Sequence, residues 1–205
     1  MNTDREILKR VYTAKTKEEL MDAYNEWAKD YDTDLSEFGY EAPLESVSKF
    51  LKYVSPDQNV IDAGCGTGLV GSMLKEHGFR GIHGLDYSVE MLQVAEGKSV
   101  YEKLYHADLT LPLEIEADIY DALICVGTFT YGHVSADAFD SLVKIVKPGG
   151  HIVFTVREGA YDDMNYRKKM VQMEHDSLWE LKELTDAVYF SGEEITCKVC
   201  VYKVL

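Results

Sequence analysis

Three aspartates close three short runs of strand-like composition: Asp62 after Val60-Ile61, Asp86 after Ile82-His83-Gly84-Leu85, and Asp108 after His106-Ala107. Between the first two lies Ala63-Gly64-Cys65-Gly66-Thr67-Gly68. Glycines in such a loop permit unusual backbone angles and let a ligand approach without meeting a β-carbon. A carboxylate two residues ahead of the first glycine repels a pyrophosphate docked at the following helix N-terminus. The pattern therefore disfavours phosphate and favours a ligand that carries positive charge.

S-adenosylmethionine, with its sulfonium and α-ammonium and no phosphate, is such a ligand. Asp86, twenty residues beyond Gly66, stands where an acid accepts hydrogen bonds from both ribose hydroxyls. Asp108 is placed for the adenine amino group. Taken singly, each aspartate is equally a helix N-cap or turn residue. Their succession at three strand ends favours a cofactor site, with Tyr87, Leu109 and Val126 beside it.

The segment Gly127-Thr128-Phe129-Thr130-Tyr131-Gly132-His133 follows the next apolar run and reaches the same edge. Methyl transfer from a sulfonium is an in-line displacement in which positioning supplies much of the catalysis. A phenol or alcohol acceptor gains from a general base. His133 is the candidate base, with Tyr131 orienting the acceptor and Thr128 lining its site. The competing reading makes His133 a cap for the helix starting near Ser135. Arg157 and Tyr161 follow the fifth strand, where Arg157 either meets an acceptor carboxylate or pairs with Glu158 or another surface acid.

These residues need a sheet to align them. Before Pro56 the apolar spacing is helical: Ile7, Leu8, Val11 and Tyr12, then Leu20, Met21, Tyr24, Trp27, Ala28 and Tyr31. Thr16 and Glu19 form a capping box, and Pro43 suits the first turn of a third helix running to Val54. After Pro56, strands at 59–62, 82–86, 103–106, 122–126 and 151–156 alternate with helices near 69–77, 88–96 and 135–146, the signature of βαβ units and a parallel sheet. The tail reads as a polar helix over 158–176 and two strands, 178–185 and 194–204, paired as a hairpin. Tyr24, Trp27 and Tyr31 share a helical face, a stripe that serves either core or a lid in which Tyr24 and Tyr31 cover the cofactor.

Composition narrows the partners. A net charge of −15 over 205 residues opposes a polyanionic partner such as nucleic acid, which needs clustered Lys and Arg. No apolar stretch approaches the roughly 20 residues that cross a bilayer, and the N-terminus shows no secretory pattern, so a cytoplasmic protein is expected. Cys197 and Cys200 have the spacing of a metal pair, but on a strand their offset turns the thiols to opposite faces. No metal is expected.

The glycine loop, Leu85-Asp86-Tyr87-Ser88, Ala107-Asp108 and Leu142-Val143-Lys144-Ile145-Val146-Lys147-Pro148-Gly149-Gly150 together resemble the class I S-adenosylmethionine-dependent methyltransferases, over residues 58–157. The resemblance implies that Asp62, Gly64 and Gly66 hold the methionine end, Asp86 the ribose, and Asp108 with Leu109 the adenine. It implies an α/β, Rossmann-like, doubly wound seven-stranded sheet, mostly parallel with an antiparallel last strand, in a three-layer αβα sandwich. Within that superfamily, Tyr24-Asn25-Glu26-Trp27-Ala28-Lys29-Asp30-Tyr31-Asp32 and Tyr131-Gly132-His133-Val134 are similar to the methyltransferase-like 27 group, which names no acceptor. The expectation is one domain, residues 1–55 forming a helical lid on a methyltransferase body at 56–205. It would act as monomer or homodimer and methylate an oxygen, nitrogen or sulfur of a small molecule. The alternatives are a cofactor-binding module without catalysis and a protein methyltransferase; the absence of an Asn-Pro-Pro-Tyr-like segment after the fourth strand argues against base methylation.

Overall fold

In the computed structural model, which describes residues 3–193 and 195–205, the apolar runs become the centre of a seven-stranded sheet. All four residues of β1 (Val60–Ala63) are buried, as befits a strand covered on both faces. It lies between β2 (Ile82–Asp86) and β4 (Tyr120–Phe129), parallel to both. With β3 (Lys103–His106), β5 (Val146–Arg157), β6 (Trp179–Phe190) and β7 (Ile195–Val204), the order is β3-β2-β1-β4-β5-β7-β6. β7 slots between β5 and β6 and runs antiparallel to each. The expected doubly wound, mostly parallel sheet with an antiparallel last strand is therefore present. Glu194, assigned above to the last strand, and the first two residues lie outside the described residues.

Helices cover both faces. On one, α4 (Ala42–Phe50) and α5 (Leu69–Glu76) bury Phe50 against Phe79, ring centroids 5.8 Å apart. Leu8, Val11, Leu20, Ala23 and Trp27, from α1 (Thr3–Thr13) and α2 (Lys17–Trp27), join that same core. On the other face, α7 (Ala138–Ile145) and α9 (Tyr166–His175) enclose Phe139, Phe154, Trp179 and Tyr202. The N-terminal helices are thus continuous with the body's interior. Cys197 and Cys200 fall in the cores of opposite faces, as the strand periodicity required.

Several boundaries differ from the sequence reading. β4 runs on to Phe129, with an irregular register between Cys125 and Phe129, so part of the expected loop is strand. β5 begins at Val146, and α7 starts at Ala138, three residues later than expected. The tail helix is two pieces, α8 (Ala160–Asp163) and α9, separated by Asn165 in the left-handed conformation (φ 60°). α2 stops at Trp27 and a new helix, α3 (Tyr31–Glu37), follows. Tyr24 and Tyr31 therefore share no helix. The bend is held from within, because the Trp27 indole N–H donates to the buried Asp34 carboxylate at 2.6 Å. The capping box forms in altered shape: Thr16 accepts from the Glu19 amide, while Glu19 reaches past it to the Lys15 amide at 2.8 Å.

Candidate active site

The C-terminal ends of β1, β2 and β4 open into one cleft, with a volume of about 350 Å³, roofed by the start of α2 and by Tyr24 and Tyr31. Positive φ at Gly64 (72°) and Gly66 (52°) turns the chain across its floor. A β-carbon on Gly64 would stand 2.2 Å from Thr128 Oγ1, so the loop and the end of β4 touch as only glycine allows. A β-carbon on Gly66 would meet nothing within 4 Å, which marks open cleft directly over the backbone.

Asp86 fixes this loop to β2. Its two carboxylate oxygens accept the Gly66 and Ser88 amides, each at 2.8 Å. Burial raises its pKa, and the amides of Ser88, Gly66 and Tyr87 oppose the rise. The same carboxylate lines the cleft, beside Tyr87, Met91 and Leu109.

Asp62 is placed differently. It is buried below the loop, accepts a 2.6 Å hydrogen bond from the Tyr101 hydroxyl, and does not border the cleft. Burial, reinforced by the charge of Asp86, raises its pKa from 3.8 to about 7. The folded state thus holds this proton more tightly than the unfolded chain, so stability falls as pH rises from about 4 through about 7. In urea titrations of the cofactor-free protein, Asp62→Asn should remove this component, leaving a flatter dependence over that window. An unaltered pH dependence would show that the carboxyl titrates normally.

Asp108 borders the cleft, and Lys17 at the start of α2 pairs with it. Its remaining contacts are the Thr110 amide at 2.9 Å and hydroxyl at 2.7 Å. These donors outweigh its partial burial and hold its pKa below the usual carboxylate value. The Lys17 ammonium also lies 3.9 Å from the Tyr87 ring centroid, a cation–π distance. The roof is pinned further by Asp32, which accepts from Thr67 Oγ1 at 2.5 Å and pairs with Lys98, and by the Ser88 hydroxyl to Asn25 at 2.8 Å.

His133 lines the cleft opposite the loop. Its Nδ1 lies 2.7 Å from the Tyr131 carbonyl and its Nε2 lies 2.8 Å from the Tyr24 hydroxyl. A carbonyl only accepts, so Nδ1 carries the proton and Nε2 takes one from Tyr24. Burial lowers its pKa from 6.5, and the nearby charge of Arg157 adds to that effect.

Of the residues expected at the site, Gly64, Gly66, Asp86, Tyr87, Asp108, Leu109, Val126, Thr128, His133, Tyr24 and Tyr31 converge on this cleft, while Asp62, Tyr131, Arg157 and Tyr161 do not line it. The Tyr131 hydroxyl donates to Asp163 at 2.8 Å. Tyr161 lies within α8, its ring 5.9 Å from the Lys198 ammonium. Sequence reasoning missed Lys17, and also Tyr40 and Tyr189, whose hydroxyls crowd Gly127 so closely that a β-carbon there would stand 2.5 Å from that of Tyr40. The glycine directly after the apolar run was the available signal.

The model of a methyltransferase domain matches residues 61–154. Human methyltransferase-like protein 27 is 31% identical over 165 residues, covering 77% of this chain and 66% of that protein. A ubiquinone biosynthesis O-methyltransferase of Vibrio cholerae is 30% identical over 124 residues, 55% of this chain and 50% of that enzyme. The chain thus spans half to about two thirds of these relatives. Among solved structures, the methyltransferase in complex with the Trm112 methyltransferase activator of Haloferax volcanii superposes with a TM-score of 0.71 at 17% identity, covering 90% of this chain and 96% of that one. A TehB-like methyltransferase from Corynebacterium glutamicum gives 0.68 at 17% identity, covering 90% and 100%. With the sheet order, the glycine loop and these likenesses in agreement, the chain belongs to the class I S-adenosylmethionine-dependent methyltransferases, related to methyltransferase-like protein 27.

Proposed function

We propose that the protein binds S-adenosylmethionine in this cleft and transfers its methyl group to an oxygen, nitrogen or sulfur of a small molecule. The observation that carries the reading is the convergence of the open space over Gly66, the Asp86 carboxylate and the imidazole of His133 on one cavity of about 350 Å³. Such a volume suits a small ligand. When bound, the cofactor supplies a methyl group on a sulfonium that leaves as a neutral thioether.

In this reading, Asp86 accepts the ribose hydroxyls, Gly64 and Gly66 admit the methionine end, and Asp108 with Leu109 meets the adenine. Tyr24 and Tyr31 exclude water from above. An acceptor hydroxyl takes the Nε2 lone pair that Tyr24 occupies, and gives its proton to Nε2 as its oxygen bonds to the methyl carbon. The Tyr131 carbonyl keeps Nδ1 protonated and the ring oriented throughout. An amine or thiolate acceptor needs less help from the base.

Lys17 competes for Asp108 in the free protein. Lys17→Met should strengthen binding of S-adenosylhomocysteine by roughly twofold to fivefold at low salt, the scale of a partly exposed ion pair, and flatten its salt dependence; weaker binding would make Lys17 a ligand instead.

The acidic balance supports an acceptor other than nucleic acid. Four free, buried cysteines suit a reducing compartment such as the cytoplasm. Among the described residues no helix is long and apolar enough to cross a membrane, and no group of His, Cys, Asp or Glu is arranged to hold a metal. Calorimetry with S-adenosylmethionine and S-adenosylhomocysteine tests the first half of the proposal. A screen of phenols, amines, thiols and carboxylates for product tests the second. Absence of cofactor binding would overturn it.

A further inference from the structure

Arg157, at the end of β5, is half-buried, and among the described residues its guanidinium makes no hydrogen bond or ion pair. Its neighbours in sequence offer no partner. Glu158 pairs with Lys198 at 3.7 Å and accepts from Thr196; Asp162 pairs with Arg167 at 3.7 Å; Asp163 accepts from Tyr131. The pairing of Arg157 with Glu158 considered from sequence is absent. The guanidinium instead lies over two rings, 4.4 Å from the Tyr12 centroid and 5.9 Å from that of Tyr131. Stacking on aromatic faces leaves the edge of the planar fork, with its N–H groups, available to a bidentate anion.

The position connects this cation to the cleft. Tyr131 and His133 are separated by Gly132, which lines the cleft and has positive φ (75°); a β-carbon there would have nothing within 4 Å. Open space thus runs past the backbone joining the Arg157-facing ring to the imidazole. A half-buried cation that has ring contacts but no ion pair among the described residues is costly unless an anionic ligand compensates it. In a chain of net charge −15, a fixed cation is also what admits an anionic ligand against the overall field.

We infer that the methyl acceptor is an organic acid, whose carboxylate is held by Arg157 between the rings of Tyr12 and Tyr131 while its nucleophile points past Gly132 toward His133. This rests on the methyl-transfer reading above and adds the acceptor's chemical class to it. Arg157 is then a specificity residue that sets which end of the acceptor enters first. The carboxylate is a handle and takes no part in bond making.

The test is calorimetric and uses benzoate, 3-phenylpropanoate and hexanoate, each beside its uncharged amide, titrated into protein loaded with S-adenosylhomocysteine. At least one acid should bind roughly tenfold or more tighter than its amide, the scale of a charge-assisted hydrogen-bonded pair. Arg157→Gln should equalise acid and amide, and Arg157→Lys should keep part of the preference. Both variants should bind S-adenosylhomocysteine as the wild type does, which shows that they fold. Equal binding of acid and amide by the wild type, no binding of any acid, or a preference that survives Arg157→Gln would each overturn the inference while leaving the cofactor reading intact. Failure to bind S-adenosylhomocysteine would instead strike the cofactor reading, and the acid-over-amide preference is then measured on the free protein.

Discussion

Replacing His133 by Ala should lower turnover of a hydroxyl acceptor by about 10²- to 10⁴-fold, the range over which a positioned base acts, with S-adenosylhomocysteine affinity nearly unchanged. The expectation follows from the ring's two fixed contacts, which leave Nε2 as the accepting nitrogen facing the cleft. Because burial lowers the imidazole pKa from 6.5, His133 holds a second proton less tightly than a free histidine. The rate should therefore fall on the acid side, with a midpoint below that of a free histidine. The same sign governs stability: the contribution of neutral His133 is complete above 6.5 and is lost as pH falls through the depressed pKa. Turnover measured by product formation from pH 5 to 9 checks both statements. Wild-type turnover in His133→Ala would remove the residue from the mechanism, and an acid limb retained in that variant would assign the titration elsewhere.

Asp86→Ala should weaken S-adenosylhomocysteine binding by about 100-fold, since the proposed ribose contacts are two charge-assisted hydrogen bonds that would be lost together. The substitution also strands the Gly66 and Ser88 amides that the carboxylate satisfies, so the loop loses its anchor to β2 and the melting temperature should drop by several degrees. Asp86→Asn keeps one accepting oxygen and should retain part of the stability while binding poorly. Calorimetry and thermal unfolding separate these effects. Unimpaired binding in both variants would place the ribose elsewhere.

Much of the architecture was legible because its signals are local. The central parallel strands β1, β2 and β4 carry apolar runs flanked by Gly or Asp, and the cleft falls where the glycine loop leaves β1. The misreadings have identifiable causes. The α2–α3 bend was hidden because apolar residues continue at helical spacing through Tyr31; the cause is a tertiary contact, the Trp27–Asp34 hydrogen bond, which periodicity does not encode. Asn165 breaks the tail helix in a left-handed conformation that Asn tolerates. At the site, the three aspartates looked equivalent in sequence, since each ends a strand, yet burial separates them. Asp62 lies under the loop against Tyr101, whereas Asp86 and Asp108 reach the cleft. Lys17 was invisible for the same reason, because its partner is 91 residues away.

The segment joining α3 to α4 is stitched to the end of β6. Tyr40 forms a β-bridge with Phe190, the Glu41 amide donates to the Tyr189 carbonyl, and the Ser191 amide donates to the carbonyl of Gly39. β7, which follows β6 in the chain, inserts between β5 and β6. During synthesis, which proceeds from the N-terminus, the first helices emerge long before the strand that receives them. A nascent polypeptide whose β6 has not yet formed carries the glycine loop and all three aspartates but lacks the strand end that pins residues 39–41.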